Sequence, residues 1–353
     1  MHKVFSCIKK GLNINTKSLA QKLCVDDSTV RYWLNDRNPR KPSSELFDNL
    51  CEQIKNKLIN ADKVIIEAIM NNLEDILSED EWLKLMQISP TNEEFIINSL
   101  RIRYDESIFK NNVKKIKSTG KIRAVIFDFD GTLTSKKDAL STWEKIWIEL
   151  GYQQEDCEFF HKQFIEKKIT HQEWCNITCE KFMNRGMTIK HLENVASKMN
   201  LMKNTKRLFA ELDKQKIDLF IVSGSIDQVI KQVLKRKQAY VDGITANIMR
   251  FDELGNLQEI IGTKYDFIGK ARFALEISAK RKIAPEDILF IGNSDNDIYV
   301  WKAGVKTLCV NPQFTNPYDS KVWNSCIKSC DDALEILKYI NQINGVEEGT
   351  KNR

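Results

Sequence analysis

The stretch that most clearly indicates a fold is IRAVIFDFDGTLT at residues 122–134, a β-branched run that ends in two aspartates and a glycine. Three similar runs follow it, and longer helical patterns separate them. Short apolar strands that alternate with helices are typical of a parallel sheet covered on both faces. We therefore predict an α/β unit with a Rossmann-like parallel sheet. The later runs are IDLFIVSG (217–224), ILFIGNSD (288–295) and KTLCVNP (306–312).

Two carboxylates, Asp128 and Asp130, stand at the carboxyl end of the first predicted strand, where an open parallel sheet binds its ligands. They suit a nucleophile and an acid/base beside one bound cation. The same DxDG pattern also occurs in surface turns and calcium loops, so the pair alone leaves those alternatives open. Three further segments fall in the order that a catalytic site needs. They are Ser223-Gly224-Ser225 after the second strand, Lys270 before a helix, and GNSDND (292–297) after the next strand.

Together these four motifs resemble those of the haloacid dehalogenase (HAD) superfamily of phosphatases, over about residues 121–312. The resemblance implies that Asp128 attacks phosphorus to form an aspartyl-phosphate. Asp130 would first protonate the leaving alcohol and then activate water. Members that cleave carbon–halogen bonds lack the second carboxylate, so Asp130 favours phosphate-ester hydrolysis. The residues that would hold the phosphate group are Thr132, Ser223, Gly224 and Lys270.

The resemblance also implies Mg²⁺ as the cofactor, a hard cation that prefers oxygen ligands. Its ligands would be the carboxylate of Asp128, the carbonyl of Asp130 and the side chain of Asn293, while Asp297 would act through a metal-bound water or through Lys270. The family's usual residue at position 293 is aspartate, so Asn293 keeps an oxygen but removes one negative charge. Two alternatives stay open, namely that Asp295 is the true ligand or that the chain is an inactive relative.

The insert between the first two motifs is far longer than a crossover helix needs, and its helical periodicity predicts a helical cap at about residues 135–216. Ala246-Asn247-Ile248, with DELG at 252–255, resembles the β-hairpin of phosphoserine phosphatases. That group carries a glutamate that contacts the amino-acid part of the substrate, where this sequence has Lys137. We expect a phosphoserine-phosphatase-like enzyme with a small phosphorylated substrate, and we do not assign phosphoserine.

Residues 1–57 are predicted to form an all-α domain, because short amphipathic helical patterns follow one another there. The segment from Ser18 to Pro42 resembles the helix-turn-helix of Cro and lambda-type repressors, which implies that its second helix enters the major groove of duplex DNA. Lysine and arginine outnumber aspartate and glutamate by 11 to 6 in residues 1–57, which favours nucleic acid. A bundle that binds protein or forms dimers is the alternative. The candidate DNA-contacting residues are Ser28, Thr29, Arg31, Tyr32, Arg37 and Arg40.

The amino-acid composition limits the class and the location of the protein. Apolar residues make up 42% and charged residues 29% of the chain, as in soluble globular proteins. No apolar run approaches the ~20 residues that cross a bilayer, and the nine scattered cysteines favour reduced thiols. We expect a cytoplasmic protein without a membrane partner, and a homo-oligomer stays open. The remaining predicted segments are a helical linker or interaction segment (58–118), the phosphatase domain (119–343) and a flexible tail (344–353).

Overall fold

The computed structural model describes residues 1–34, 42–78, 81, 82, 85, 86, 89, 91–104, 116–137, 140–165, 168, 169, 171–263, 265–313 and 321–346. The chain divides into two compact units, Met1–Lys115 and Ile116–Arg353. Each unit has its own hydrophobic core. No helix in the described ranges is both long enough and apolar enough to span a membrane.

The first unit is built from helices. Its buried side chains run from Val4 to Ile102 and form one cluster. That core crosses residues 57 and 58, where the sequence analysis places a boundary between a helix-turn-helix domain and a linker; this subdivision stays a prediction. The helices are α1 (His2–Gly11), α2 (Thr16–Lys22), α3 (Asp27–Trp33), α4 (Ser44–Leu58), α5 (Lys63–Glu74) and α6 (Asn92–Tyr104).

Helices α2 and α3 of this unit pack against each other across a short turn. The side chain of Asn15 begins α2 by accepting hydrogen bonds from the N–H groups of Lys17 and Ser18. Helix α3 buries Val30 and Trp33. The expected all-α character of the N-terminal region is confirmed, whereas nothing identifies it as a helix-turn-helix. Arg37 and Arg40 lie outside the described residues.

The second unit contains a seven-stranded sheet in the order β4-β3-β2-β1-β5-β6-β7. All neighbours pair in parallel except β3 and β4, which form an antiparallel hairpin. The predicted parallel α/β core is therefore confirmed. The strands are β1 (Ala124–Phe127), β2 (Asp218–Ile226), β3 (Gly243–Phe251), β4 (Leu257–Ile261), β5 (Ile288–Ser294), β6 (Lys306–Gln313) and β7 (Ser325–Ile327).

The pairing register aligns the ends of the three central strands. Phe127, the last residue of β1, pairs with Ile221 on one side and Ile291 on the other. The segments that follow these three residues therefore leave the sheet at the same edge. This is the edge at which parallel sheets bind ligands.

Four helices lie between β1 and the crossover into β2: α7 (Thr142–Glu149), α8 (Gln154–Ile165), α9 (His171–Asn184) and α10 (Ile189–Lys198). Helix α9 packs on β4, so the hairpin supports this helical layer. The next helix, α11 (Thr205–Lys214), instead packs on β2 and on the last helix. The remaining helices are α12 (Asp227–Leu234), α13 (Ile268–Arg281) and α14 (Ala333–Asn344).

Candidate active site

A buried lysine lies at the centre of the strand-end site. Lys270, in the first turn of α13, is fully buried, and its Nζ lies 3.2 Å from Asp128 Oδ1 and 2.6 Å from Asp297 Oδ1. Burial alone would lower the pKa of Lys270. The two carboxylates raise this pKa by more than burial lowers it, so the net shift is upward. Lys270 is therefore a permanent ammonium shared by two buried carboxylates.

Asp297 connects this lysine to the loop after β5. Its Oδ2 accepts hydrogen bonds from the backbone N–H groups of Asn293, at 2.9 Å, and Ser294, at 3.2 Å. The carboxylate is fully buried and has both oxygens engaged. Asp297 therefore fixes the position of Lys270 and of the loop that carries Asn293.

Asp128 stands directly after β1, and its backbone N–H donates to the carbonyl of Ile291. The side chain is 4% exposed, and Oδ1 has no hydrogen-bond partner besides its ion pair with Lys270. Burial raises the pKa of Asp128, and the positive charge of Lys270 opposes that rise. A buried anion of this kind gains stability from a further positive charge.

Asp130 is held by the first residue of α7. The hydroxyl of Thr142 donates to Asp130 Oδ1 at 2.8 Å, and the Thr142 N–H donates to Oδ2 at 3.2 Å. Burial raises the pKa of Asp130, and the bonds from Thr142 partly offset this effect. A raised pKa suits a carboxylic acid that has to hold a proton before giving it to a leaving group.

The loop after β2 is fixed through one carbonyl. The oxygen of Gly224 accepts from Trp143 Nε1 at 2.7 Å and from Asn247 Nδ2 at 2.6 Å. A Cβ at position 224 would lie 2.6 Å from Asp266 Oδ2, so a side chain there would displace the Asp266 carboxylate. The N–H of Ser225 donates to Ser223 Oγ at 3.2 Å. Helix α7 and strand β3 therefore both set the conformation of this loop.

Asn293 contacts the turn that follows β1. Its Oδ1 accepts a hydrogen bond from Thr132 Oγ1 at 3.2 Å, and its Nδ2 donates to Gln313 Oε1 at 3.3 Å. Gly131 adopts a φ of 72°, and a Cβ there would lie 2.2 Å from Asn293 Nδ2. The positive φ favours glycine at position 131, and a side chain there would also displace the amide of Asn293.

A cavity of about 470 Å³ opens above these residues. Lys270, Asp297 and Thr132 are fully buried and do not line it. The hydroxyl of Thr132 is engaged by Asn293, so the structure does not bring this side chain to the cavity. The residues expected from sequence that do line the cavity are Asp128, Asp130, Ser223, Gly224, Asn293 and Asp295.

Several wall residues were missed by the sequence analysis, which assigned roles only to the strand-end motifs. The capping box of Ser141 and Glu144 marks the start of α7 in the sequence, but it does not reveal that the next residues reach Asp130 and Gly224. The missed residues that contact the motifs or line the cavity include Thr142, Trp143, Glu144, Glu158, His161, His171, Trp174, Asn247 and Asp266.

The donor set fits a hard divalent cation. The cavity wall offers carboxylate and amide oxygens from Asp128, Asn293 and Asp295, and Asp128 Oδ1 is buried without a hydrogen bond. In the part of the chain that the structure describes, no group of three or more His, Cys, Asp or Glu residues is arranged as a metal cluster. Mg²⁺ needs no such cluster, because it is usually bound by one or two carboxylates, waters and substrate phosphate.

A sequence profile of the haloacid dehalogenase-like hydrolases matches residues 122–303, more than half of the chain. The chain belongs to this family. The HAD chain is also 23% identical over 189 residues to a phosphoserine phosphatase of Archaeoglobus fulgidus, covering 52% of this chain and 51% of that protein. It thus spans about half the length of this curated relative.

Two solved structures resemble this chain in fold. A probable phosphoserine phosphatase from Vibrio cholerae has a TM-score of 0.53 at 16% identity, covering 72% of this chain and 73% of the other. A HAD family hydrolase from Salmonella enterica serovar Typhi has a TM-score of 0.50 at 18% identity, covering 65% and 73% respectively. The prediction of a HAD-type enzyme with this core is confirmed.

Replacing Lys270 by methionine should destabilise the HAD unit more than the loss of one surface ion pair would. Two buried carboxylates lose their shared cation, and breaking a buried pair of this kind costs about 3–5 kcal/mol. Adding Asp297→Asn to Lys270→Met should recover part of the loss, because one uncompensated charge disappears. Urea unfolding of the two single variants and the double variant measures this. Strictly additive losses would contradict the shared-ammonium arrangement.

Proposed function

We propose that the chain is a phosphomonoesterase that hydrolyses a small phosphorylated metabolite through an aspartyl-phosphate on Asp128. The supporting observation is the setting of Asp128 in the cavity wall, with the Lys270 ammonium 3.2 Å from its carboxylate and with Asp130 nearby in the same wall. A nucleophile, a charge-neutralising cation and an acid are thus available to one ligand.

The first step is attack of a carboxylate oxygen of Asp128 on phosphorus. The bond between phosphorus and the ester oxygen breaks, and Asp130 gives its proton to that oxygen. In the second step Asp130 takes a proton from water, whose oxygen attacks the phosphorus of the aspartyl-phosphate. Inorganic phosphate leaves and the carboxylate of Asp128 is restored. The upward shift in the pKa of Asp130 supports its role as the initial acid.

The surrounding residues orient these groups. Lys270 neutralises negative charge on Asp128, while Ser223 and the Gly224 loop would contact phosphate oxygens from the cavity wall. Mg²⁺, when bound, supplies positive charge that stabilises the phosphoryl oxygens. Asp128, the carbonyl of Asp130 and Asn293 would hold it, with Asp295 as the alternative to Asn293.

The helical layer above the cavity favours a small substrate. Side chains of α7, α8 and α9 form its outer wall, so a ligand is partly enclosed between this layer and the sheet. Enclosure excludes bulk water from the reacting groups. A polymer end is therefore a poor fit, and a small metabolite is the substrate class that we propose.

A weakly active sensor of a phosphorylated ligand is the second candidate function. The observation behind it is Asn293, which removes one negative charge from the proposed metal site and already accepts a hydrogen bond from Thr132. Hydrolysis of an aryl phosphate with and without Mg²⁺ separates the two candidates. Metal-dependent turnover supports the enzyme, and binding without turnover supports the sensor.

Asp128→Asn should abolish hydrolysis of 4-nitrophenyl phosphate, because an amide cannot form the acyl phosphate. Asp130→Asn should impair turnover severely and prolong any phosphoenzyme, since water is no longer activated. Release of nitrophenol and acid-quenched phosphoprotein measure the two effects. Asp213→Asn, an exposed change in α11, is the matched control. Near wild-type activity in Asp128→Asn would refute the assignment of the nucleophile.

Asn293→Asp should lower the Mg²⁺ concentration that gives half-maximal activity, because the site regains one negative charge. Asn293→Ala should raise that concentration sharply or eliminate activity. Metal titrations of these variants, of Asp297→Asn and of Asp295→Ala decide which residue binds the ion. An unchanged Mg²⁺ requirement in both Asn293 variants would exclude Asn293, and a loss confined to Asp295→Ala would assign the ligand role to Asp295.

We further propose that the first unit binds duplex DNA through α3. Helix α3 buries Val30 and Trp33 while Ser28, Arg31 and Tyr32 are exposed, which leaves a polar face for a partner. Thr29 is half-buried on the same helix. Arg31 forms an ion pair with Asp27 at 2.7 Å, so binding a phosphate would require this pair to rearrange.

The full chain should bind duplex DNA with an affinity that falls as salt rises, because phosphate contacts release counterions. Replacing Arg31, Arg37 and Arg40 together by alanine should weaken binding across different sequences. Fluorescence anisotropy with labelled duplexes at several salt concentrations measures this, with Lys63→Ala in α5 as the control. No binding at low salt would favour a protein-contact role.

A further inference from the structure

Two glutamates converge in the outer wall of the cavity. The amide nitrogen Nε2 of Gln154 donates to Glu144 Oε1 and to Glu158 Oε1, at 3.0 Å in each case. Both carboxylates line the cavity. Glu144 is held further by the N–H and hydroxyl of Ser141, which donate to its Oε2. The structure therefore brings two like charges to one neutral amide, an arrangement that a cation between them would stabilise.

The rest of the wall does not balance this negative charge. Asp266, in the segment before α13, adds a further carboxylate to the wall. Among the described residues that line the cavity there is no lysine or arginine. Its basic groups are His161 and His171, and the loss of water around each imidazole lowers its pKa. Both are therefore mainly neutral at pH 7, while the nearby carboxylates keep the outer cavity acidic.

Aromatic side chains complete this part of the wall. The indole rings of Trp143 and Trp174 meet edge to face, with centroids 4.6 Å apart and an angle of 81°. Trp174 is 4% exposed, lines the cavity, and has a buried indole N–H without a hydrogen-bond partner. Such an N–H needs an acceptor, which an ester or phosphate oxygen of a bound ligand can supply and an ammonium group cannot. Aromatic rings beside carboxylates attract organic ammonium groups.

We infer that the substrate is a phosphomonoester whose alcohol part carries an ammonium group and no carboxylate. This inference rests on the proposed function and narrows its substrate class to amino-alcohol phosphates. The ammonium would lie between Glu144 and Glu158 and against the tryptophans, while the phosphate lies at Asp128. A carboxylate on the same alcohol, as in phosphoserine, would meet the acidic side chains of a wall whose described lining residues include no lysine or arginine.

Three esters of similar size test the inference: 2-aminoethyl phosphate, 2-hydroxyethyl phosphate and phosphoglycolate. The purified full chain with Mg²⁺ should show a kcat/KM for the amine about tenfold above the neutral ester, from ion-pair and cation–π attraction together. Phosphoglycolate should be the poorest of the three. Phosphoserine should be poorer than 2-aminoethyl phosphate, from which it differs only by a carboxylate.

The Glu158→Gln variant tests the contact directly. It should lower the ratio of kcat/KM for the amine to kcat/KM for the neutral ester severalfold. Glu155→Gln is the control, because Glu155 is exposed on the same helix but lies outside the cavity wall, and it should leave that ratio unchanged. Three outcomes would overturn the inference: equal use of the three esters, a preference for phosphoglycolate, or an unchanged ratio in Glu158→Gln. If 4-nitrophenyl phosphate is still hydrolysed, the proposed function stands and only the inference fails. Failure to hydrolyse any ester, including 4-nitrophenyl phosphate, would overturn the proposed function and the inference with it.

Discussion

The ammonium of Lys270, buried between Asp128 and Asp297, is the interaction on which the rest of the site depends. Charges in a protein interior are stable only when they are paired and hydrogen-bonded. Asp297 meets that condition through Lys270 and two backbone N–H groups, which also hold the loop carrying Asn293. Asp128 meets it only in part, because one oxygen has an ion pair without a hydrogen bond. The network thus keeps one carboxylate structurally fixed and the other available for chemistry.

The helical layer contributes to the same site through two consecutive residues. Thr142 holds both oxygens of Asp130, and Trp143 donates to the carbonyl of Gly224. The first turn of α7 therefore fixes both Asp130 and the loop that carries Gly224. Any movement of α7 away from the sheet would break both contacts together, so the positions of Asp130 and of the Gly224 loop both depend on the position of α7.

Sequence patterns were sufficient to predict the parts of the site that follow from strand periodicity. Asp128, Ser223 and Asn293 each come near the end of a parallel strand, and the register of β1, β2 and β5 brings those ends together. Contacts made from the helical layer were not predictable in this way. The bonds from Thr142 and Trp143 depend on how α7 is oriented over the sheet, and periodicity contains no information about that orientation.

Two further features show that the sequence alone does not predict which side chains meet in the site. Thr132 carried a phosphate role by resemblance, but the turn after β1 directs its hydroxyl to Asn293. Glu144 and Glu158 belong to different helices, and only the packing of α7 against α8 brings them to the amide of Gln154. Local sequence determines which residue types are present, whereas the packing of helices determines which side chains share a cavity.

The central claim is that Asp128 itself attacks phosphorus with Lys270 beside it. A single-turnover reaction in H₂¹⁸O, followed by mass spectrometry of the peptide that contains Asp128, tests this most directly. Attack of water on the phosphorus of an aspartyl-phosphate leaves the label in inorganic phosphate and none in Asp128, but direct attack of water on the substrate does the same, so the trapped phosphopeptide decides between the two routes. The phosphorylated peptide trapped by acid before that step should carry its phosphoryl group on Asp128. Phosphate release without any trapped phosphoryl group, in wild type and in Asp130→Asn alike, would contradict the account.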